Sequence, residues 1–563
     1  MVVSGRGDAH KRLCSSKFFK SWVSHPQKGQ HCPSLLNLCI HAATQDILQY
    51  HTFSELPPDL TQQIFNNLLF SGRLTLPSLQ AFRHCTLQDI YLGEYDADVV
   101  DDSWMDIVSS QGSSLLHLDL SASQLTDYGL SYLQQGLTNL TSLSFGRNHA
   151  ISAEGMSALS GLVNLVNLNL ERCPGIHGGL VHLQGLTKLE SLNLKWCNCI
   201  IDVDMKPLSE LTNLKSLEIS SSKVTDIGIR FLKGLQNLAL LNLEGCFVTA
   251  ACLDTLAELS LLDLRLTKES FKQQVNIVID CFLPELPALS NLNISRCNFT
   301  NNGCEMFSRL ENLEVLNLGF NEISNPCLGH LKGLTKLKSL NLDSCRIDDD
   351  GLVHLAGHQQ LKCLELSDTE IGSSGLQHLS GMYSLEKLNV SFTMISDSGL
   401  SELCGLSSLK SLNLDARRVT DYGLATLASL SGLTDLDLFG VQITDFGTNY
   451  LKNFKSLQSL EICGGGLTDD GVKNIKNLSS LMFLNLSQNS NLTDTALHLI
   501  SGLTSLVSLN VSNSRITRDG LQHLKTLHKL RSLSMESCEV TTNDIKELKS
   551  KYLPNLLSFR PEE

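Results

Sequence analysis

The sequence predicts an α/β solenoid: short parallel strands along a concave face, helices along the convex face, and a small helical module at the N-terminal end. Three observations predict it. Leucines recur in steps of 24 residues, as at Leu292, Leu316, Leu340, Leu364, Leu388, Leu412, Leu436, Leu460 and Leu484. Around each, an L-x-L stretch alternates apolar and polar, the pattern of a half-buried strand. A few residues later comes T-D-x-G-L, where Thr or Asp caps a helix whose leucines turn inward at helical spacing. One strand and one helix cannot bury a core alone, so successive units must stack.

The aligned cores make the repeat visible: LNLERCPGIHGGL, LNISRCNFTNNGC, LNLDSCRIDDDGL, LNVSFTMISDSGL, LNLDARRVTDYGL and LDLFGVQITDFGT. Earlier units start near Leu118, Leu143, Leu168, Leu192, Leu217 and Leu241, later ones at Leu509 and Leu533, and Leu557 opens a terminal half-unit. Roughly 18 units are expected over residues 113–563. The pattern resembles the cysteine-containing, intracellular class of leucine-rich repeats; the L-x-G-x-I-P signature of the plant extracellular class is absent. Cys173, Cys197, Cys246, Cys297, Cys345 and Cys538 share one slot after the L-x-L core, which elsewhere holds Asn or a small residue. That reads as a buried small-residue site filled by a free thiol. One unit departs from the period: the stretch near 265–288, KESFKQQVNIVIDCFLPEL within it, is several residues too long and reads as an insertion, harmless or functional.

Composition narrows the function. The 563 residues are 42% hydrophobic and 18% charged, enough for a large core. A net charge of −14 argues against a nucleic-acid partner. No apolar run is long enough to span a membrane, and residues 1–32 form a basic segment without a secretory apolar region, expected to be a disordered tail. Reduced thiols point to cytoplasm or nucleus. No paired CxxC motifs, phosphate loop or Ser-His-Asp order stands out, so no cofactor, metal or catalytic residue is expected. The histidines of the G-L-x-H-L stretches occupy a periodic surface slot.

Residues 33–112 read as a helical module. In SLLNLCIHAA, Ser34 caps a helix with Leu35, Leu38, Cys39, Ala42 and Ala43 on one stripe. In ELPPDLTQQIFNNLLFSG, Pro57 and Pro58 suit a first turn, Leu60, Ile64, Phe65 and Leu68 form an apolar stripe, and Ser71-Gly72 ends the helix. A third short segment, LPSLQAFRHC, follows. Ser34-Leu35-x-x-x-Cys39-x-x-x-Ala43 resembles the elongin-C-binding box, and Leu56-Pro57-x-x-Leu60-x-x-x-Ile64 resembles the cullin-contacting box that follows it. Their order, with repeats downstream, is similar to the Zyg-type substrate receptors of cullin-RING ubiquitin ligases. The second stretch also resembles the opening helix of an F-box, although the later Val-Cys-x-x-Trp of that motif has no clear match. Both resemblances imply an adaptor, elongin C or a Skp-type protein, joined to a cullin, with Leu35, Leu38, Cys39, Ala43, Leu56, Pro57, Leu60 and Ile64 as contacts. They imply a receptor that does no bond chemistry itself. The same helices could instead cap the open apolar end of the array.

The strand face is polar and moderately acidic. Asp415, Asp435, Asp437 and Phe439 cluster in two neighbouring units, and an aromatic among carboxylates suits a basic or mixed peptide, so these four are the expected target-binding residues. The functional expectation is therefore substrate recognition within a ubiquitin ligase, with an unknown protein as target. The alternative is a non-catalytic repeat scaffold or regulator.

Overall fold

The computed structural model describes residues 35–93, 100–134, 136–248, 252–256, 258–266, 286–415, 418–464 and 466–561. The expected tail (1–32), Pro33, Ser34 and residues 267–285 of the expected insertion lie outside them. The chain divides into two compact units, Met1–Leu261 and Leu262–Glu563. Both have the expected architecture, with parallel three-residue strands on one side and short α- or 3-10-helical segments on the other.

In the first unit the strands run from Asp89–Tyr91 (β1) through His117–Asp119 to Leu240–Asn242. β1 pairs in parallel with His117–Asp119, so the sheet starts one unit upstream of Leu118. In the second unit they run from Asp263–Arg265 to Ser558–Arg560. The register places leucine on leucine: Leu143, Leu168, Leu192 and Leu217 align in the first unit, and Leu316, Leu340 and Leu364 in the second. All seven are at most 2% exposed. Each buries nearly the whole side chain, worth about 2 kcal/mol apiece. At the C-terminal end the aligned residue is Phe559, facing Leu533, while Leu557 is 67% exposed. The terminal unit is thus set by the half-buried Phe559, because this last step is 26 residues and not 24 and Leu557 falls before the strand.

The T-D-x-G motif has a stacking role. Thr126 Oγ1 and its backbone N–H both donate to the Asp102 carboxylate of the preceding unit, at 2.6 and 2.8 Å. The same fork joins Thr225 to Asp202, Thr420 to Asp397, Thr444 to Asp421, Thr468 to Asp445 and Thr517 to Asp494. The threonine also caps its own helix, as Thr420 Oγ1 accepts from the Tyr422 N–H. The glycine three residues after each of these threonines, and after Ser152 in the same slot, leaves room for the carboxylate below: a Cβ on Gly447 would collide with Asp421, and one on Gly155 with Asp127.

The cysteine slot is explained by a second ladder. Cys197 Sγ donates to the Leu170 carbonyl of the preceding unit at 3.0 Å, and Cys173 and Cys345 make the same bond to Phe145 and Leu318. Where the slot holds Asn, its amide does the same work: Asn148 Nδ2 donates to Leu120 O, and Asn321 Nδ2 to Ile294 O. Burial pushes the Cys197 thiol up to about 12, so it stays protonated and can donate. Cys538 is half-buried, unlike the other five of its row. The expectation of free thiols fails at Cys304 and Cys327, which are joined in a disulfide. They lie in helical segments of neighbouring units, which stacking brings to a Cα–Cα distance of 5.2 Å.

Gly447→Ala should therefore lower stability by about 1–3 kcal/mol through overpacking, although alanine is the better helix former. Gly333→Ala, with open space around the new methyl group, should stay within about 0.5 kcal/mol of wild type. Urea midpoints of the two variants test this; equal midpoints would contradict the stacking role.

Candidate functional site

The N-terminal module consists of a helix over Leu35–Gln45 (α1), a helix over Pro58–Phe70 (α2), and a short turn of helix at Leu76–Leu79 continuing into Gln80–Phe82. α2 starts where proline permits: Pro58 occupies its first turn, where the missing N–H costs nothing. It ends at Gly72, whose φ of +67° lets the chain leave by a Schellman turn. Gly72 N–H donates to Leu69 O and Arg73 N–H to Leu68 O. Thr75 and Ser78 form a capping box that opens the third segment.

The module has its own core. Phe53, Phe65 and Phe82 are buried, with ring centroids 5.2 Å apart for Phe53–Phe82 and 5.5 Å for Phe65–Phe82. Ile64, Leu68 and Leu79 complete it. Its attachment to the sheet runs through Gln62 on α2. Gln62 Oε1 accepts from the N–H groups of Gln88 and Asp89 at 3.0 and 3.1 Å, and Nε2 donates to Asp89 O at 2.7 Å. Between repeats the same pair of N–H groups is served by one carbonyl, as Leu116 and His117 are served by Gln88 O. The Gln62 amide thus takes the place of a peptide group on a missing strand and closes the edge of β1. Sequence reasoning missed this residue, because a lone glutamine on a helix face carries no pattern.

α1 has two apolar stripes. Ile40, Ala43 and Thr44 are buried on the side that packs against α2, and Ile47 is buried in the 3-10 turn that follows. Leu35, Leu38, Cys39 and Ala42, also at helical spacing, face outward. Leu35 is 79% exposed and Leu38 48%. The expected single stripe is therefore corrected at Ala43, which belongs to the inward face: it follows Leu35 by eight positions, about 80° further round the helix. Of the α2 contacts, Leu56 and Pro57 are exposed, Leu60 is half-buried, and Ile64 is buried at 4% exposure. Ile64 is corrected too, from a docking contact to a core residue. At the C-terminal end of α1, Thr44, Asp46, Leu48, Arg73 and Thr75 line an open cleft of about 510 Å³. Leu48 stands 71% exposed beside it.

The expected target residues share one strand face in the second unit. Asp435–Asp437 pairs with Ser411–Asn413 on one side and Ser459–Glu461 on the other. Asp435 is exposed, and Asp415, Asp437 and Phe439 are half-buried. Asp437 Oδ1 accepts from the Phe439 N–H at 3.0 Å, and Thr434 Oγ1 donates to Asp435. Phe439 is not the most exposed aromatic here. Phe392, two units earlier, is 65% exposed and holds a left-handed φ of +55°. That turn position recurs, with Trp196 and Phe320 in the same slot. The slot's periodic spacing was the signal available in the sequence. Among the described residues, no group of three or more His, Cys, Asp or Glu is arranged to hold a metal ion. None of the described helices is long and apolar enough to cross a membrane.

Comparison with known proteins bears on the repeats. Family models described as leucine-rich repeat match residues 287–347 and 455–516, and a second set matches 136–160, 210–233, 358–380 and 384–404. No curated protein sequence gives a significant match. Among solved structures, an internalin (inlF) from Listeria monocytogenes is 23% identical, with 64% of this chain and 89% of that one covered and a TM-score of 0.43. TLR13 in its complex with ssRNA13 is 18% identical, with 90% of each chain covered and a TM-score of 0.44. A leucine-rich-repeat protein of Leptospira interrogans is 20% identical over 85% of this chain and 97% of that one, with a TM-score of 0.35.

If the Gln62 amide closes the sheet edge, Gln62→Ala should cost about 1 kcal/mol and speed amide exchange at Gln88 and Asp89 by tenfold or more. Exchange unchanged at those two amides would remove Gln62 from the edge.

Proposed function

We propose that this leucine-rich-repeat chain, a protein-interaction scaffold in its repeats, is the substrate-recognition subunit of a cullin-RING ubiquitin ligase. The observation that carries the reading is the outward stripe of α1. A helix that served only as a cap needs one apolar face; α1 has two, and the second presents Leu35, Leu38 and Cys39 to solvent. Exposed leucines on a helix are the anchors of helix-in-groove recognition. Full burial of Leu35 alone would contribute about 1.5–3 kcal/mol.

The two adaptor types make different demands. Docking through the apolar stripe of α2, as the F-box resemblance implies, would draw on Ile64, Phe65 and Leu68, which already fill the module's core. Docking through α1, as the elongin-C-box resemblance implies, uses side chains that are outside. The reading therefore favours an elongin-C-type adaptor, with Leu35, Leu38 and Cys39 as the anchors and Leu56 and Pro57 as the cullin-side contacts. Catalysis would come from the partners, by proximity: the repeats hold the target and the cullin arm delivers a ubiquitin-charged enzyme.

Tagged full-length protein, wild type or Leu35→Ala/Leu38→Ala, should be captured from its native cells after circular dichroism shows equal folding. The wild type is expected to bring down an elongin-C-type adaptor with a cullin, and the variant neither. If neither form recovers an adaptor under conditions that recover a known receptor, α1 is a cap and the chain is a repeat scaffold or regulator.

A further inference from the structure

On the strand face, most repeats place asparagine at the third strand position, and the structure shows why. Asn317, Asn341, Asn389, Asn413 and Asn485 each accept, through Oδ1, the backbone N–H two residues on, at 2.8–3.1 Å. The fold needs only that amide oxygen. Three units of the second half carry a carboxylate there instead: Glu365, Asp437 and Glu461. Asp437 keeps the turn bond to Phe439 and adds a charge that the turn does not use.

That charge is not balanced locally. In the first unit Glu218 occupies the same position and pairs with Lys195 at 2.6 Å. Among the described residues, Glu365, Asp437 and Glu461 make no such ion pair. Among the described residues, from the strand at Ser339–Asn341 to that at Ser459–Glu461, this face carries Asp343, Glu365, Asp435, Asp437 and Glu461 against Lys387. Burial raises the carboxyls of Glu365, Asp437 and Glu461 above their ordinary values; the Asn389 bond and Lys387 offset this only in part at Glu365, where Asp343 repels, and the Asn485 bond only in part at Glu461, where Asp437 and Asp415 repel. The face therefore costs free energy as it stands, and a cation lying on it would relieve that cost. Phe392, whose side chain is exposed, follows the strand Lys387–Asn389 of this face, and its N–H donates to Asp415 O.

We infer that this strand face docks a basic, extended segment of a partner protein. Its cationic side chains would meet Glu365, Asp437 and Glu461, and one apolar residue would lie against Phe392. The inference rests on the receptor reading above and names the chemistry of the target. Six strands at a spacing of about 4.8 Å span about 24 Å, the length of about seven extended residues. The sign of the charge excludes a nucleic-acid backbone.

The test uses full-length protein and a fluorescein-labelled nonapeptide of arginines around a central phenylalanine. Fluorescence anisotropy should show saturable binding that weakens about tenfold in Asp437→Asn/Glu461→Asn, a variant that restores the asparagine used elsewhere in the fold. Phe392→Ala should weaken it about fivefold. Asp519→Asn/Glu539→Gln, which removes the same net charge from exposed positions outside the strand face, should change it less than twofold. No binding by the wild type, or equal binding by the two charge variants, would overturn the inference. The Leu35→Ala/Leu38→Ala protein should bind the peptide as the wild type does. Failure of the wild type to capture an adaptor while it binds the peptide would sink only the ligase reading, and adaptor capture by a wild type that does not bind the peptide would sink only the basic-target inference.

Discussion

The joint from the residue that opens each helical segment, most often a threonine, to the side chain, most often an aspartate, of the unit before it is the interaction on which the rest of the structure depends. Leucine burial supplies most of the driving force, but a stack of flat leucine layers could slide. Charge-assisted hydrogen bonds are short and directional, so the fork fixes how far each unit is turned and raised on the last. Both of the fork's donors belong to the residue that caps the next helix. Stacking and helix initiation are thereby one event. The glycine three residues beyond the threonine is the steric counterpart of the fork, since any side chain there would occupy the carboxylate's space.

This coupling explains what was legible in the sequence. The period, the strands and the helix starts could be read because leucine, threonine, aspartate and glycine each do the same task in unit after unit. The cysteine row was legible for the same reason, although its donor role becomes visible only once the facing carbonyl is located. Features that occur once were harder. Gln62 is one polar residue on one helix, and its role depends on an edge that exists only in three dimensions. Ala43 and Ile64 were placed on docking faces because an apolar helix position does not say which of two apolar surfaces it meets. Leu557 follows the leucine spacing, yet the last step is two residues longer, so the register sets the half-buried Phe559 opposite Leu533. The Cys304–Cys327 disulfide was missed because two residues 23 apart become neighbours only through stacking.

The two candidate surfaces differ in kind. The outward stripe of α1 is apolar and lies on a module with its own aromatic core, so adaptor contact need not disturb the repeats. The acidic strand face is built from positions at which the fold would accept asparagine. One surface offers buried area and therefore affinity; the other offers charge and therefore selectivity and rate of encounter. Separation of these tasks would suit the proposed receptor, which would hold one constant partner and one variable one.

The threonine–aspartate fork has a further consequence. Because the upper and lower faces of a unit carry the same two halves of one joint, such units are interchangeable at the joint. A unit of this kind could be duplicated, removed or exchanged with another without creating a mismatched seam, provided its own leucines are kept. The strand-face residues are not part of the joint. The recognition surface can therefore be rewritten one unit at a time, with the scaffold left unaware of what it displays.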